Sequence, residues 1–393
     1  MKVAHVFNQC NDGWSICKGL RAIGVDAHLW LRCPSNVMAL PHWEEAEIDM
    51  DCLGDPDNPD WKALSEKWTL PEFVHVWNAM RGRYPLSRTG KFIRFILELG
   101  KYDLVVGHSP FASHARSYLM VHRKPYAIYD AGDIRYLDED AGSALGGYRK
   151  SRWGYRHASK IFFTNVDTFE IFKEKGFDQE SIVYTPFAID TSLYTKINVP
   201  PLFEGHSPIF FSASRHSWIY KGNDRLIMAF HKYLKRNSKA LLMMTGLGQD
   251  LARSKQLVNT LGISQSVRWL PVVSKKTLVK YYNASDAVFD QFVYPAFGTL
   301  ALEAMACQKP VVSYANTSLW ERVHGSVPPM LNASSADEIC KAMTLLEDEA
   351  VRERHGSEAR SWIERTCEAT IVARLQEQVY GEIIEHGAGA LGA

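Results

Sequence analysis

Read for hydrophobicity, the chain alternates short apolar runs with segments of helical period. VAHVF leads into a helical pattern over 15 to 24, DLVVGH into one over 111 to 121, and KIFFTN into one over 167 to 175, with PYAIYD between the last two. The second half repeats the scheme with PIFFSAS (208–214), ALLMMTG (240–246), VRWLPVV (267–273), DAVFDQF (286–292) and PVVSY (310–314). Strand followed by helix, many times over, predicts parallel sheets with crossover helices, and two such series predict two sheets. Residues 191–207, TSLYTKINVPPLFEGHS, hold two adjacent prolines and no period, so they read as a linker with the boundary near 195.

Length and charge narrow this picture. At 393 residues the chain exceeds the size at which one hydrophobic core stops growing, in keeping with two domains. Lys and Arg (45) balance Asp and Glu (44), so no global field points to nucleic acid. Seven cysteines form no C-x-x-C pair, which argues against a zinc site or a disulfide framework and fits a reducing cytosol. The start, MKVAHVFNQC, turns polar too soon for a signal peptide, and no stretch approaches the ~18 apolar residues of a membrane span.

Phosphate chemistry concentrates in the second half. Arg215 and Lys221, in SASRHSWIYKGNDRLIMAF, follow a strand and precede an amphipathic helix that begins near Asn223 or Asp224. Ligands of open α/β sheets bind at the carboxyl ends of strands, where these cations fall. TGLGQD places Gly246 and Gly248 after the next strand, where glycine lets the backbone come close to a ligand. FGTLALEAMA (297–306) supplies the third element, a helix opened by glycine whose amides at Gly298, Thr299 and Leu300 point at an anion. With Thr299 as N-cap, Glu303 sits one position too late for a capping box. A carboxylate one turn beyond bound phosphates can accept from ribose hydroxyls, although a glutamate near a helix start also gains from the dipole with no ligand at all.

These residues resemble the GT-B glycosyltransferases, in particular the retaining, nucleotide-sugar-dependent group called group 1 or family four. The resemblance rests on RHSWIYKG, TGLGQD, FGTLALEAMACQKPVV and VYTPFAIDTSLY (183–194) and covers nearly the whole chain. It implies an α/β fold of two Rossmann-like domains facing across a cleft. The N-terminal, acceptor-binding domain would span 1–195 and the donor-binding domain 196–365. A C-terminal helix over 366–386 would return to the first domain, leaving a flexible tail at 387–393. Arg215 and Lys221 would neutralise the donor diphosphate during catalysis, Gly298, Thr299 and Leu300 would offer amides to it, and Glu303 would hold the ribose. The co-substrate is a nucleoside diphosphate sugar. No other cofactor and no metal is expected, because fixed cations can carry the leaving-group charge. The acceptor is a carbohydrate, a small molecule or a lipid-linked compound.

Three departures stand out. The family's E-x7-E motif has Pro295 at its first position, with Asp290 and Gln291 nearby as substitutes. The N-terminal glycine-rich loop is reduced to NDGWS, where Gly13 keeps the backbone close to the donor. Where the family often has a histidine, this chain reads DAGD. Asp130 is therefore a candidate for the chemistry and Asp133 for the acceptor, with helix capping an equal alternative for both.

Other features carry less. His108 ends a strand and is read as an acceptor contact or as a satisfied core residue. YRKSRWGYRHASK (148–160) is a basic helix interleaved with aromatics, which either docks on an anionic membrane or packs its rings into the core; the second reading is preferred. The acids of 43–62 and the triplet Asp138, Glu139, Asp140 read as solvated surface. Rival functions are an epimerase or phosphorylase of the same fold and a non-catalytic nucleotide-sugar-binding protein.

Overall fold

The computed structural model describes residues 1–33, 35–48, 59–78, 85–137, 148–296 and 298–390. The chain forms two units. The first comprises Met1–Ala46, Asp51–Ala188 and Ala369–Ala393, and the second Glu47–Met50 and Ile189–Glu368. The change of unit thus comes at Ala188, ahead of the proline-rich stretch, because Ile189 already pairs with Glu368 in the second unit. The last helix, Ala369–Ala390, packs in the first unit on the helix Asp12–Ala22 and continues through part of the stretch read as a tail. A Cβ at Gly19 would lie 2.4 Å from the carbonyl oxygen of Ala369, which shows how close the two helices run.

In the first unit seven parallel strands are β1 (Lys2–Val6), β2 (Asp26–Cys33), β3 (Val74–Asn78), β4 (Leu104–His108), β5 (Tyr126–Asp130), β6 (Lys160–Phe163) and β7 (Ile182–Tyr184). Their spatial order is β3-β2-β1-β4-β5-β6-β7. The second unit has six among the described residues, namely β8 (Ile209–Ser212), β9 (Leu241–Thr245), β10 (Val267–Leu270), β11 (Ala287–Phe289), β12 (Val311–Ser313) and β13 (Leu331–Asn332). Their order is β10-β9-β8-β11-β12-β13. Counted from their own first strand the orders are 3-2-1-4-5-6-7 and 3-2-1-4-5-6, the doubly wound arrangement in which the chain reverses direction beside that strand. The switch point lies between β1 and β4 in one unit and between β8 and β11 in the other.

Burial explains why the second sheet forms where it does. Every residue of β8 (IFFS) and β9 (LLMMT) is buried, as a parallel sheet covered on both faces requires. The helix Asn223–Leu234 starts after Gly222, whose φ of 70° suits a glycine. It buries Leu226, Ile227, Phe230 and Tyr233, one stripe of a 3.6-residue period, against Phe210, Met244 and Phe289 of the sheet. Removing the Phe230 ring would cost about 3–5 kcal/mol.

The expectation about the acids of 43–62 needs revision in part. Glu44 is buried and Glu45 pairs with Lys18 at 2.8 Å, so part of 43–62 belongs to the packed structure; residues 49–58 lie outside the described residues, as does the triplet Asp138, Glu139, Asp140. Among the described residues no helix is long and apolar enough to cross a membrane, and no group of three or more His, Cys, Asp or Glu is placed to hold a metal ion.

Candidate functional site

At the switch point of the second unit, the loops leaving β8, β9 and β11 are tied to one another. Ser214, just past β8, donates from Oγ to Asp290 Oδ1 at 2.7 Å, and the Gly298 amide donates to Asp290 Oδ2 at 3.3 Å. Asp290 is 2 % exposed, and through these two bonds it clasps the two loops together. The same contact removes the Gly298 amide from the phosphate role expected of it. Lys221 Nζ donates to Gln291 Oε1, and its carbonyl accepts from the Phe292 amide at 2.9 Å, a second tie between the β8 and β11 loops.

The β9 loop braces the segment carrying Arg215. His216 donates its amide to the Leu247 carbonyl at 2.6 Å, and its own carbonyl accepts from Asp250 at 3.0 Å. Gly248, at φ 120°, lies so close that a Cβ there would be 2.3 Å from the His216 nitrogen. Gly248 is thus explained by protein backbone. Gly246 itself has an ordinary environment, with its amide donating to the Leu270 carbonyl at 2.8 Å. Burial holds the His216 imidazole down to about 4, so it is neutral near pH 7, and its Nδ1 lies 2.8 Å from Ser254 Oγ. Asp250 Oδ2 accepts from the Trp218 amide at 2.8 Å, fixing the short helix Trp218–Lys221.

What this scaffold presents is positive. Arg215 is exposed and has no ion-pair partner among the described residues. The helix Thr299–Ala306 has Gly298 as N-cap with no side chain capping it, so Thr299 and Leu300 occupy its first two positions and their half-buried amides lack intrahelical partners. Glu303 consequently sits in the second turn, further from the helix start than a Thr299 cap would put it. It is 2 % exposed: Oε1 is bound by Lys275 Nζ, and Oε2 accepts from Tyr282 at 2.9 Å. Each oxygen retains a lone pair for a further donor.

Lys275 and Tyr282 were not singled out from the sequence. Both lie on the helix Lys275–Ala284, which Lys275 opens after the Ser274 cap. A cation at the positive end of a helix is unfavourable unless a carboxylate answers it, and KK at that position was the available signal. Pro295 supplies no acid; its carbonyl accepts from the Asn316 amide at 3.1 Å.

The first unit treats its candidate residues differently. Asp130 is fully buried at the end of β5, accepting from the Gly132 amide at 2.7 Å, the Ile134 amide at 2.9 Å and Tyr155 Oη at 2.5 Å. It holds two amides at the start of the turn Asp133–Tyr136, whose N-cap is Gly132, so a structural role accounts for it in place of the catalytic one suggested. Burial, with Asp133 near, pushes its carboxyl up to about 7 against the pull of Tyr155 and Gly132. His108 is also fully buried, its Nε2 3.4 Å from His5 Nδ1, while His5 Nε2 lies 3.2 Å from Tyr380 Oη. It is a core residue without access to an acceptor. Gly13 is explained by the same packing, since a Cβ there would come within 2.9 Å of His108 Nε2. Asp133 is half-exposed as a residue, but its Oδ2 is buried and has no hydrogen-bond donor among the described residues.

Comparison with known proteins bears on these arrangements. The family described as "Glycosyl transferases group 1" matches residues 195–362, almost all of the second unit. An uncharacterized glycosyltransferase of Methanocaldococcus jannaschii is 37% identical over 107 residues, 27% of either chain. A D-inositol 3-phosphate glycosyltransferase of Geodermatophilus obscurus is 33% identical over 135 residues, 33% of this chain and 30% of that one. The matched stretches thus span 27% and 30% of those relatives' own length. Among solved structures, HepE of Anabaena in complex with UDP and glucose superposes with a TM-score of 0.72 at 17% identity, covering 97% of this chain and 100% of that one. That likeness shows the fold, two Rossmann-like domains of the GT-B type.

Proposed function

We propose that this chain, whose residues 195–362 match the group 1 glycosyl transferase family, transfers a sugar from a nucleoside diphosphate sugar to an acceptor with retention of anomeric configuration. The observation carrying this reading is the convergence of Arg215, Lys221 and the Thr299 and Leu300 amides around the β8/β11 switch point, where doubly wound sheets hold phosphorylated ligands. Breaking the anomeric C–O bond leaves charge on the nucleoside diphosphate. Donors brought to that position would stabilise the charge with little reorganisation. Lys221 spends one N–H on Gln291 and keeps two for phosphate. Glu303, oriented by Lys275 and Tyr282, takes the ribose hydroxyls with its remaining lone pairs. In this reading the cations take the place of a metal.

The acceptor is assigned to the first unit, where Asp133 is half-exposed beyond the end of β5. The six described cysteines are free, which supports a cytoplasmic protein. A non-catalytic nucleotide-sugar-binding protein is the second reading, favoured by the burial of Asp130 and by Pro295 at the first position of the acid pair.

Thermal-shift titration with a panel of nucleoside diphosphates, followed by incubation with labelled donor sugars and NMR of the anomeric product, tests both. A stabilising nucleotide with transfer or slow donor hydrolysis supports the enzyme. Binding without either over a wide acceptor panel supports the second reading, and an inverted product refutes retention.

A further inference from the structure

Charge is unevenly spread in the first unit although it balances over the chain. The segments 85–99, 113–124 and 148–160 contain eleven Lys and Arg against a single Glu, while the whole chain has 45 against 44 acids. All three supply helices to one neighbourhood. The helices Pro85–Leu99 and Ala115–His122 run side by side, with the Phe92 ring 5.3 Å from His114 and the Ile96 carbonyl 2.7 Å from His122 Nε2. Arg116 then reaches the Trp153 ring of the helix Tyr148–Arg156, at 5.8 Å.

The outer face of the first two helices is apolar where a solvated surface would be polar. Ile93 is 52%, Leu97 57%, Met120 71% and Val121 51% exposed. Single exposed aliphatics are ordinary, but four on adjacent helices make a patch. Arg88 and Arg94 flank it on one helix, and Arg149 and Lys150 on another; all four are exposed and free of ion pairs among the described residues. Arg116, Arg149, Lys150, Phe92 and Trp153 also line a cavity of about 470 Å³ beside it, large enough for one phosphate headgroup.

We propose that this face docks the first unit on an anionic phospholipid bilayer, with the four aliphatic side chains among the headgroups and the surrounding cations on lipid phosphates. Protruding aliphatics ringed by cations match the two requirements of interfacial binding, whereas a protein partner would more usually be met by an aromatic anchor at the centre of the patch. The 148–160 segment contributes charge here and not insertion: Tyr155 is buried against Asp130, and Trp153 stacks on His157 with ring centroids 3.9 Å apart. Docking does not depend on the proposed reaction, since it uses none of the donor-site residues.

Co-sedimentation of the full chain with vesicles of phosphatidylcholine, with and without phosphatidylglycerol, tests it. Binding is expected only with phosphatidylglycerol and should weaken as salt rises. Arg149→Glu with Lys150→Glu should lower the partition coefficient at least ~25-fold, at about fivefold per cation lost. Leu97→Ser with Met120→Ser should lower it about tenfold or more, with unchanged melting temperatures for both variants because all four residues are exposed. Equal binding to neutral vesicles overturns the proposal. So does loss of binding in the charge variant alone, which would reduce the face to an anion site. Sedimentation as a dimer that Leu97→Ser dissociates, without vesicle binding, would assign the face to a second copy of the chain.

Discussion

The two units share a strand order and differ in what occupies its switch point. Between β1 and β4 the space is filled from within: His5 and His108 are fully buried in a chain of contacts that ends on Tyr380 and Gln376 of the last helix. Asn8 Oδ1 accepts from the Trp14 amide at 3.1 Å, and Gly13 has no room for a side chain. Between β8 and β11 the scaffold is equally well bonded, but the bonds run through backbone, Asp290 and Gln291, and leave Arg215 turned to solvent. Topology therefore provides two switch points, and side chains decide whether buried rings or an exposed cation lies beside each. Polar residues at the end of a strand are not in themselves a site; unspent donors are.

The sharpest way to break this contrast is through Glu303. Replacing it with leucine leaves the Lys275 ammonium, 15% exposed, and the Tyr282 hydroxyl without their acceptor, at a cost of about 3–5 kcal/mol in urea unfolding. Adding Lys275→Met should restore most of that stability, because an apolar pair tolerates burial. Nucleotide binding should stay weak in the double variant, since no carboxylate remains for the ribose. Recovery of binding along with stability would make Glu303 structural and put the open crevice in doubt.

Next in size is the cation. Arg215→Ala should lower turnover on the order of 100-fold while the melting temperature stays put, because nothing described in the protein leans on the guanidinium. A change in melting temperature without a change in rate would reverse the assignment. On the filled side, Gly13→Ala tests crowding. Its methyl would meet His108 Nε2 at 2.9 Å and both Asn8 Oδ1 and Leu29 Cδ1 at 3.1 Å, so a loss of about 1–3 kcal/mol is expected, with nucleotide affinity unchanged. Weakened nucleotide binding instead would return Gly13 to the donor.

Legibility followed burial and locality. β8 and β9 were visible because strands buried on both faces read as unbroken apolar runs. β2, DAHLWLRC, was hidden by His28 and Arg32, β3 lies at a sheet edge, and β7 and β13 have three and two residues, too few to show a period. Arg215 and Lys221 could be found by type and place, whereas the partners of Glu303 stand 28 and 21 residues away on another helix, beyond any local pattern. Asp130 shows the opposite failure. An acid at a strand's carboxyl end looks the same in sequence whether it faces a substrate or, as here, two amides and a tyrosine.

The last expected effect lies in the filled crevice and comes from protons. Burial holds His5 down to about 3 and His108 well below its ordinary value, so both are neutral in the folded protein over the range where an unfolded histidine, near 6.5, takes up a proton. Between those values the unfolded chain binds more protons than the folded one, and stability must fall as pH drops below 6.5. Each such histidine contributes about 1.4 kcal/mol per pH unit. His216, held near 4 by burial in the second unit, adds to the same slope. His5→Phe keeps a ring of similar bulk without the titration, so its urea-unfolding free energy, measured from pH 7 to pH 5, should decline less steeply than that of the parent by one histidine's share. An unchanged slope would mean that the His5 ring takes a proton in place, and that the first crevice is wetter than its contacts with His108 and Tyr380 describe.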